Sequence, residues 1–161
     1  YSPSDSKYAC ADDLNAELDA TVEAVETPAD AVTKATAVVT ATTSTEPVFD
    51  GADLTEGTLV VAVGAYTAEM RELDATTFER AARVFGDVPE EAAEVGGVRA
   101  AGLAADDLVS LSEAFEGRAG RETADEILVV ESVGSAVLDA AASEHVLQRA
   151  VENGVGSTVP L

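Results

Sequence analysis

Lysine is nearly missing from this 161-residue chain. Lys7 and Lys34 are the only two, among nine basic residues set against 31 acidic ones. Tryptophan is absent, aromatics make up 4% of the residues, and there is one cysteine, Cys10, and one histidine, His145. Each scarcity excludes something. One cysteine forms no internal disulfide, and one Cys with one His makes no zinc site, so no metal is expected. Without a basic stripe nothing neutralises a phosphate backbone, which argues against nucleic acid as a partner. No run approaches the ~20 apolar residues of a membrane span. No charged n-region followed by an apolar h-region opens the chain. The expectation is a cytoplasmic protein without membrane partners.

What is present is acid and small aliphatic side chains. The net charge is −22, and 47% of the residues are hydrophobic, mostly Ala, Val and Leu. Self-repulsion of that size destabilises a compact state in dilute buffer. In molar salt, where the Debye length is about 3 Å, it is largely screened. Salt adaptation is therefore the expectation, with an acidic docking surface as the competing reading. The acids are spread through the chain rather than gathered into a tail.

Periodicity divides the chain into alternating elements. Ser4 to Leu18 has helical spacing, with Tyr8, Ala11, Leu14 and Leu18 on one face, and Cys10 reads as a small buried hydrophobe. Thr21 to Glu26 alternates and predicts a strand. Thr27-Pro28 supplies an N-cap and first-turn proline for a short helix to about Ala35. Strands are predicted at Ala37–Thr42, Thr58–Val63, Arg83–Gly86 and Glu126–Glu131. Between them lie a loop over Pro47–Gly57, a helix capped by Asp74, a helix from Pro89 to about Gly96-Gly97, and an amphipathic helix over Asp106–Phe115. A long helix is expected from Ser132 to Asn153, ended by Gly154 and followed by a terminal strand or extended tail. His145 reads as an ordinary surface or interface residue of that helix.

Strands alternating with helices predict an α/β fold with a parallel sheet and flanking helices. The Rossmann-like arrangement would place a strand, a Gly-rich loop and a helix first. None of the three precedes the first helix here, and the first residue is Tyr rather than Met. If this is a Rossmann domain, residues 1–131 are a partial dinucleotide-binding domain lacking those parts. Residues 132–161 read as a C-terminal helix and tail returning to a domain outside the chain.

Three segments carry a family resemblance: VVTATTSTEPVF at 38–49, VAVGAYTAEMRELD at 61–74, and ESVGSAVLD at 131–139, the last preceded by Asp125-Glu126-Ile127. In this order and spacing they resemble the ornithine cyclodeaminase/mu-crystallin family, which includes an archaeal type of alanine dehydrogenase and several ketimine reductases. The resemblance implies NAD or NADP as cofactor and a small amino or imino acid as substrate. It places Ser2 against the adenosine ribose. NAD-preferring cyclodeaminases carry an Asp there, which repels a 2′-phosphate; Ser2 leaves NADP open, with Lys7 the nearest cation. Thr40 and Thr42 would lie against the dinucleotide, although TATTST alone also reads as a polar turn after a strand. Val60, Val61, Ala62 and Val63 would meet the nicotinamide half. Ser132 would contact the nicotinamide, or serve only as an N-cap, and Val133 would contact the substrate.

The chain departs from the cyclodeaminase pattern at Tyr66, where those enzymes carry a catalytic Asp, and at Met70, where they carry a Lys. Both departures resemble the mu-crystallin and imine-reductase branches. Glu131 stands where relatives often have another polar or cationic residue. The family's substrate-carboxylate Arg and Lys and its GxGxxQ-like loop lie upstream of Tyr1. The functional expectation is an NAD(P)-dependent enzyme of cyclodeaminase, alanine dehydrogenase or ketimine reductase type, inactive as this chain alone and homodimeric only when complete. The alternative is a non-catalytic NAD(P)H or small-ligand binder of the mu-crystallin kind. A flavodoxin-like or receiver-like domain fits poorly, because no strand comes first.

Overall fold

The computed structural model describes residues 1–159. Five parallel strands form one sheet: β1 (Ala37–Thr40), β2 (Leu59–Ala62), β3 (Ala81–Gly86), β4 (Val109–Ser110) and β5 (Ile127–Glu131), in the spatial order β1-β2-β5-β3-β4. The last strand in sequence is thus the central one. Parallel strands covered on both faces should be apolar throughout, and β5 reads ILVVE with only Val130 incompletely buried. The α/β class and the parallel sheet agree with the sequence reading.

The helices among the described residues are α1 (Ser6–Glu17), α2 (Pro28–Val32), α3 (Ala75–Arg80), α4 (Pro89–Ala92), α5 (Gly96–Ala100), α6 (Leu111–Phe115) and α7 (Ala136–Asn153). Their ends follow the capping chemistry in the sequence. Thr27 and Asp30 form a reciprocal capping box at α2, and Asp74 accepts from Thr77 N at α3. Gly154 ends α7 in the left-handed conformation at φ 64°. The core joins Val32, Val38, Val60, Leu73, Phe78, Val84, Val98 and Val129 across the sheet. Burying each such side chain stabilises by roughly 1.5–3 kcal/mol.

Five local expectations are corrected. Thr21 to Glu26 is not a strand: it has no strand partner among the described residues, and Asn15 instead caps both backbone groups of Val22, donating to its O at 2.7 Å and accepting from its N at 2.8 Å. Cys10 is exposed, because α1 buries Ala11 alone; Tyr8 and Leu18 of the predicted apolar face are exposed too. The helix from Pro89 stops at Ala92, and α5 follows as a separate turn. Asp106 to Phe115 breaks into a 3-10 turn, the edge strand β4 and the short α6, since Val109 and Ser110 pair with Phe85 and Gly86. The long helix begins at Ala136, capped by Ser135 rather than Ser132. Of the two alternatives for the end of the chain, a terminal strand or an extended tail, no strand forms through Val159, and residues 160–161 lie outside the described residues.

α7 buries none of its 18 residues, and Val137, Val146 and Val151 are 65–75% exposed. His145 is a surface residue, as expected. Among the described residues, no helix is long and apolar enough to cross a membrane.

Candidate functional site

The C-terminal edge of the sheet gathers nearly every residue that the sequence singled out. The strand registers align Thr40, Ala62, Glu131, Gly86 and Ser110 in one row across β1, β2, β5, β3 and β4. Cα partners on neighbouring parallel strands share a face. The preceding row on that face, Val38, Val60, Val129 and Val84, belongs to the core. The chain therefore switches from aliphatic core to polar site within one step of the pleat.

On the β1 side lies a cleft of about 380 Å3 lined by Ser2, Pro28, Val39, Thr40, Thr42 and Phe49, among others. It brings together three of the predicted site residues, Ser2, Thr40 and Thr42, from two separate segments. Its volume is at the low end of the range for small-molecule pockets. Val39 is 66% exposed on this edge strand and supplies an apolar wall. Lys7 lines a smaller cavity, of about 270 Å3, that shares Tyr1 and Ser2. Its ammonium stands 3.6 Å from Glu26 and lies over the rings of Tyr1 and Tyr8.

Glu72 builds the floor between β1 and β2. It is 1% exposed and accepts three hydrogen bonds, from Thr40 Oγ1 at 3.0 Å, Thr42 N at 2.5 Å and Gly64 N at 2.8 Å. One carboxyl thus ties the loops that leave both strands. Gly64 is required there: a Cβ would lie 2.1 Å from Thr42 O and 2.6 Å from Glu72 Oε1. Met70, at the family's Lys position, is buried. Val60 and Ala62 are buried in the core, Val61 is half-buried, and Val63 is exposed at the edge. Val60 and Ala62 can therefore meet a ligand only through their backbone. Tyr66 is 66% exposed in the loop after β2.

On the β5 side, Ser132 and Val133 do not start a helix. Ser132 N donates to Ala62 O at 2.9 Å, which sets the residue beside the end of β2. The loop then closes on Asp87, just past β3. The Asp87 carboxylate accepts from Ser132 Oγ at 2.7 Å, Val133 N at 3.2 Å, Gly134 N at 3.0 Å and Val88 N at 2.8 Å. Partial burial opposes its charge, but the hydrogen bonds from Ser132, Val133, Val88 and Gly134 outweigh that and hold Asp87 below the usual carboxylate range.

Between Glu72 and Asp87, Glu131 is 4% exposed and its Oε1 has no hydrogen-bond partner. Burial, then the negative charges of Glu72 and Asp87, push its carboxyl up to about 8. At neutral pH Glu131 is predominantly a neutral carboxylic acid, the form that burial among like charges favours.

Sequence reasoning named Glu131 without a role and missed Glu72 and Asp87. Asp87 had a legible signal: an acid directly after a strand's last glycine, two residues before a helix-starting proline. Glu72, between Arg71 and Leu73, had none beyond its proximity to an apolar strand. The residues present fit a nucleoside-bearing ligand: the hydroxyls of Ser2, Thr40 and Thr42 and an apolar wall of Val39 and Phe49 line one cleft. Among the described residues, no cluster of His, Cys, Asp and Glu could hold a metal ion.

Comparison with known proteins gives consistent findings. The model of the ornithine cyclodeaminase/mu-crystallin family matches residues 3–154. A Delta(1)-pyrroline-2-carboxylate reductase of Bacillus cereus is 34% identical over 137 residues, covering 81% of this chain and 42% of that protein. The structure of the Thermococcus litoralis Delta(1)-pyrroline-2-carboxylate reductase, in complex with NADH and L-proline, superposes with a TM-score of 0.84 at 29% identity over 94% of this chain and 49% of the other. An archaeal alanine dehydrogenase dimer with bound NAD superposes with a TM-score of 0.81 at 26% identity over 96% and 49%. The chain thus spans less than half the length of these relatives.

Proposed function

The chain belongs to the ornithine cyclodeaminase/mu-crystallin family, and from that membership we propose that it forms the cofactor-binding part of an NAD(P)-dependent enzyme acting on a small amino or imino acid. The reaction is of the cyclodeaminase, alanine dehydrogenase or ketimine reductase type, and the relatives favour reduction of a cyclic imino acid. The observation that carries this reading is the assembly of Ser2, Thr40 and Thr42 around one cleft at the sheet's C-terminal edge. In open α/β sheets ligands bind outside that edge.

When bound, the nicotinamide supplies the hydride chemistry. The chain's own residues bind and orient. Ser2 and the Thr40–Thr42 loop take the adenosine side, with the Thr40–Thr42 loop held rigid by Glu72. The β2 end and the Ser132-Val133 loop take the nicotinamide and substrate side. Lys7, engaged with Glu26, is not directed at the cleft, which favours NAD over NADP. Residues 132–159 return to a second domain, and the complete protein is a cytoplasmic homodimer. The 161-residue chain alone is inactive.

The test is titration with NADH and NADPH, followed by loss of NADH absorbance with Δ1-pyrroline-2-carboxylate and with pyruvate plus ammonia, and by release of ammonia and proline from L-ornithine in the presence of NAD, which that reaction regenerates. Reduction of an imino acid by the full-length protein supports the reading; the absence of any dinucleotide binding defeats it. One observation favours the second reading, a ligand-binding protein without turnover. Tyr66, at the position of the cyclodeaminase Asp, is a largely exposed phenol and brings no carboxylate to that place. Dinucleotide binding with no turnover on any of these substrates would decide for it.

A further inference from the structure

Asp87 does more than close a loop. An ionised carboxylate only accepts hydrogen bonds, so the 2.7 Å contact from Ser132 Oγ consumes that hydroxyl's single proton. The same carboxylate takes Val133 N and Gly134 N, so the loop has no freedom to rotate Ser132 towards another acceptor without breaking the set. Gly134 has φ 78°, the left-handed conformation that lets the chain turn back on Asp87. Ser132 itself is half-buried, with its backbone pinned to Ala62 O at the end of β2. What its hydroxyl offers outward is its remaining lone-pair capacity.

We propose that Asp87 is the positioning residue that sets the polarity of this part of the site, making Ser132 an obligate acceptor, so that the ligand group meeting it must be an N–H donor. The inference rests on the proposed dinucleotide-dependent function. Two sources offer that chemistry: the primary carboxamide of the nicotinamide ring and the protonated nitrogen of an amino or imino acid. The arrangement would disfavour a ligand that presents only an acceptor here, because two lone pairs would then face each other without a proton between them.

The experiment compares NADH with its 3-acetylpyridine analogue, in which the carboxamide NH2 is replaced by CH3. Binding of each is measured to the full-length wild-type protein, Ser132→Ala and Asp87→Asn, with unfolding midpoints recorded for all three. The wild type is expected to favour NADH by roughly 3- to 10-fold, the worth of one hydrogen bond. That ratio should fall to about 1 in Ser132→Ala. It should also fall in Asp87→Asn, whose amide N–H can donate to Ser132 Oγ and turn the hydroxyl proton outward. If the wild-type ratio is already about 1 but both variants raise KM for the amino or imino acid several-fold with NADH affinity unchanged, the inference stands and the donor is the substrate nitrogen. The inference is overturned if Ser132→Ala and Asp87→Asn, both folded, leave the ratio and KM at wild-type values, or if only Ser132→Ala changes them. Should Asp87→Asn fail to fold, Ser132→Ala alone decides: an unchanged ratio and KM overturn the inference. A wild-type protein that binds neither dinucleotide overturns the proposed function, and the inference with it.

Discussion

Gly64 and Glu72 are locked together: the Gly64 N–H donates to Glu72 Oε2 at 2.8 Å, and a side chain at Gly64 would place its Cβ 2.6 Å from the other carboxylate oxygen. The loop after β2 exists in this form because residue 64 has no side chain and residue 72 brings an acceptor into the core. The same pair connects the fold to the site, since Glu72 also holds Thr40 and Thr42.

Gly64→Ala should therefore destabilise the protein. The added methyl meets backbone, Thr42 O at 2.1 Å and Thr42 N at 2.5 Å, rather than a flexible side chain. The expected loss is about 1–3 kcal/mol, in the range of overpacked cores, read from denaturant unfolding. An unchanged midpoint would show that the two loops are not in contact.

Glu72→Gln keeps the shape but replaces one acceptor oxygen with a donor. Three donors then converge on a group that can satisfy fewer of them, and the expected loss is about 1–3 kcal/mol. Removing the Glu72 charge also lowers the pKa of Glu131, to which that charge contributes. Chemical unfolding measures the first effect, and carboxyl-specific NMR titration the second.

Stability should depend on pH through Glu131. Its carboxyl holds a proton up to about pH 8 in the folded chain, against an ordinary value of 4.5. Between those values the folded state binds more protons than the unfolded state, so stability falls as pH rises. The contribution is complete below about pH 4.5 and is lost through pH 8. Glu131→Gln, neutral at every pH, should remove this slope and be the more stable form at pH 8–9, by on the order of a few kcal/mol. Asp74 and Asp87 act with the opposite sign. Partial burial opposes their charge, yet hydrogen bonds lower both, so their stabilisation is present above 3.8 and is lost as pH falls further. Unfolding midpoints from pH 3 to 9 for wild type and Glu131→Gln check both limbs.

Tyr66→Phe should leave the unfolding midpoint within about 0.5 kcal/mol, as expected for an exposed position. If the phenol serves as the acid or base of the proposed reaction, kcat falls by roughly 100-fold or more while dinucleotide Kd stays unchanged. Equal kcat in the two forms would remove Tyr66 from the mechanism.

Salt should raise the unfolding midpoint steeply. A net charge of −22 on 161 residues repels itself over the whole surface, and raising the salt from 0.1 M to 1 M shortens the Debye length from about 10 Å to about 3 Å. Thermal unfolding across that series checks the expectation; a flat response would favour an acidic surface that a partner neutralises.

Much of the fold was legible in one dimension. β2 is an unbroken apolar run, β5 is apolar up to its last residue, Glu131, and Thr27, Asp74 and Gly154 carry capping chemistry that acts within a few residues of themselves. Local rules are enough where the interaction is local. They failed at Thr21–Glu26, whose alternation matches a strand but whose backbone bonds go to Asn15, and at Val109-Ser110, where pairing with β3 overrides a helical pattern. Cys10 went wrong for a related reason: an apolar face is buried only if something packs on it.

The site divides in the same way. Alternating strands and helices indicated the α/β class, and three motifs in order and spacing carried the family resemblance, which in turn implied Ser2, Thr40, Thr42 and Ser132 as site residues. Only the tertiary structure decided that Ser132 gives its hydroxyl proton to Asp87, 45 residues away in the chain, instead of capping a helix. It likewise decided that Glu131 is neutral at pH 7, because burial and the charges of Glu72 and Asp87, 59 and 44 residues distant, act on it across space. A carboxyl's charge and a hydroxyl's direction are set by neighbours in three dimensions, and the order of residues along the chain does not contain them.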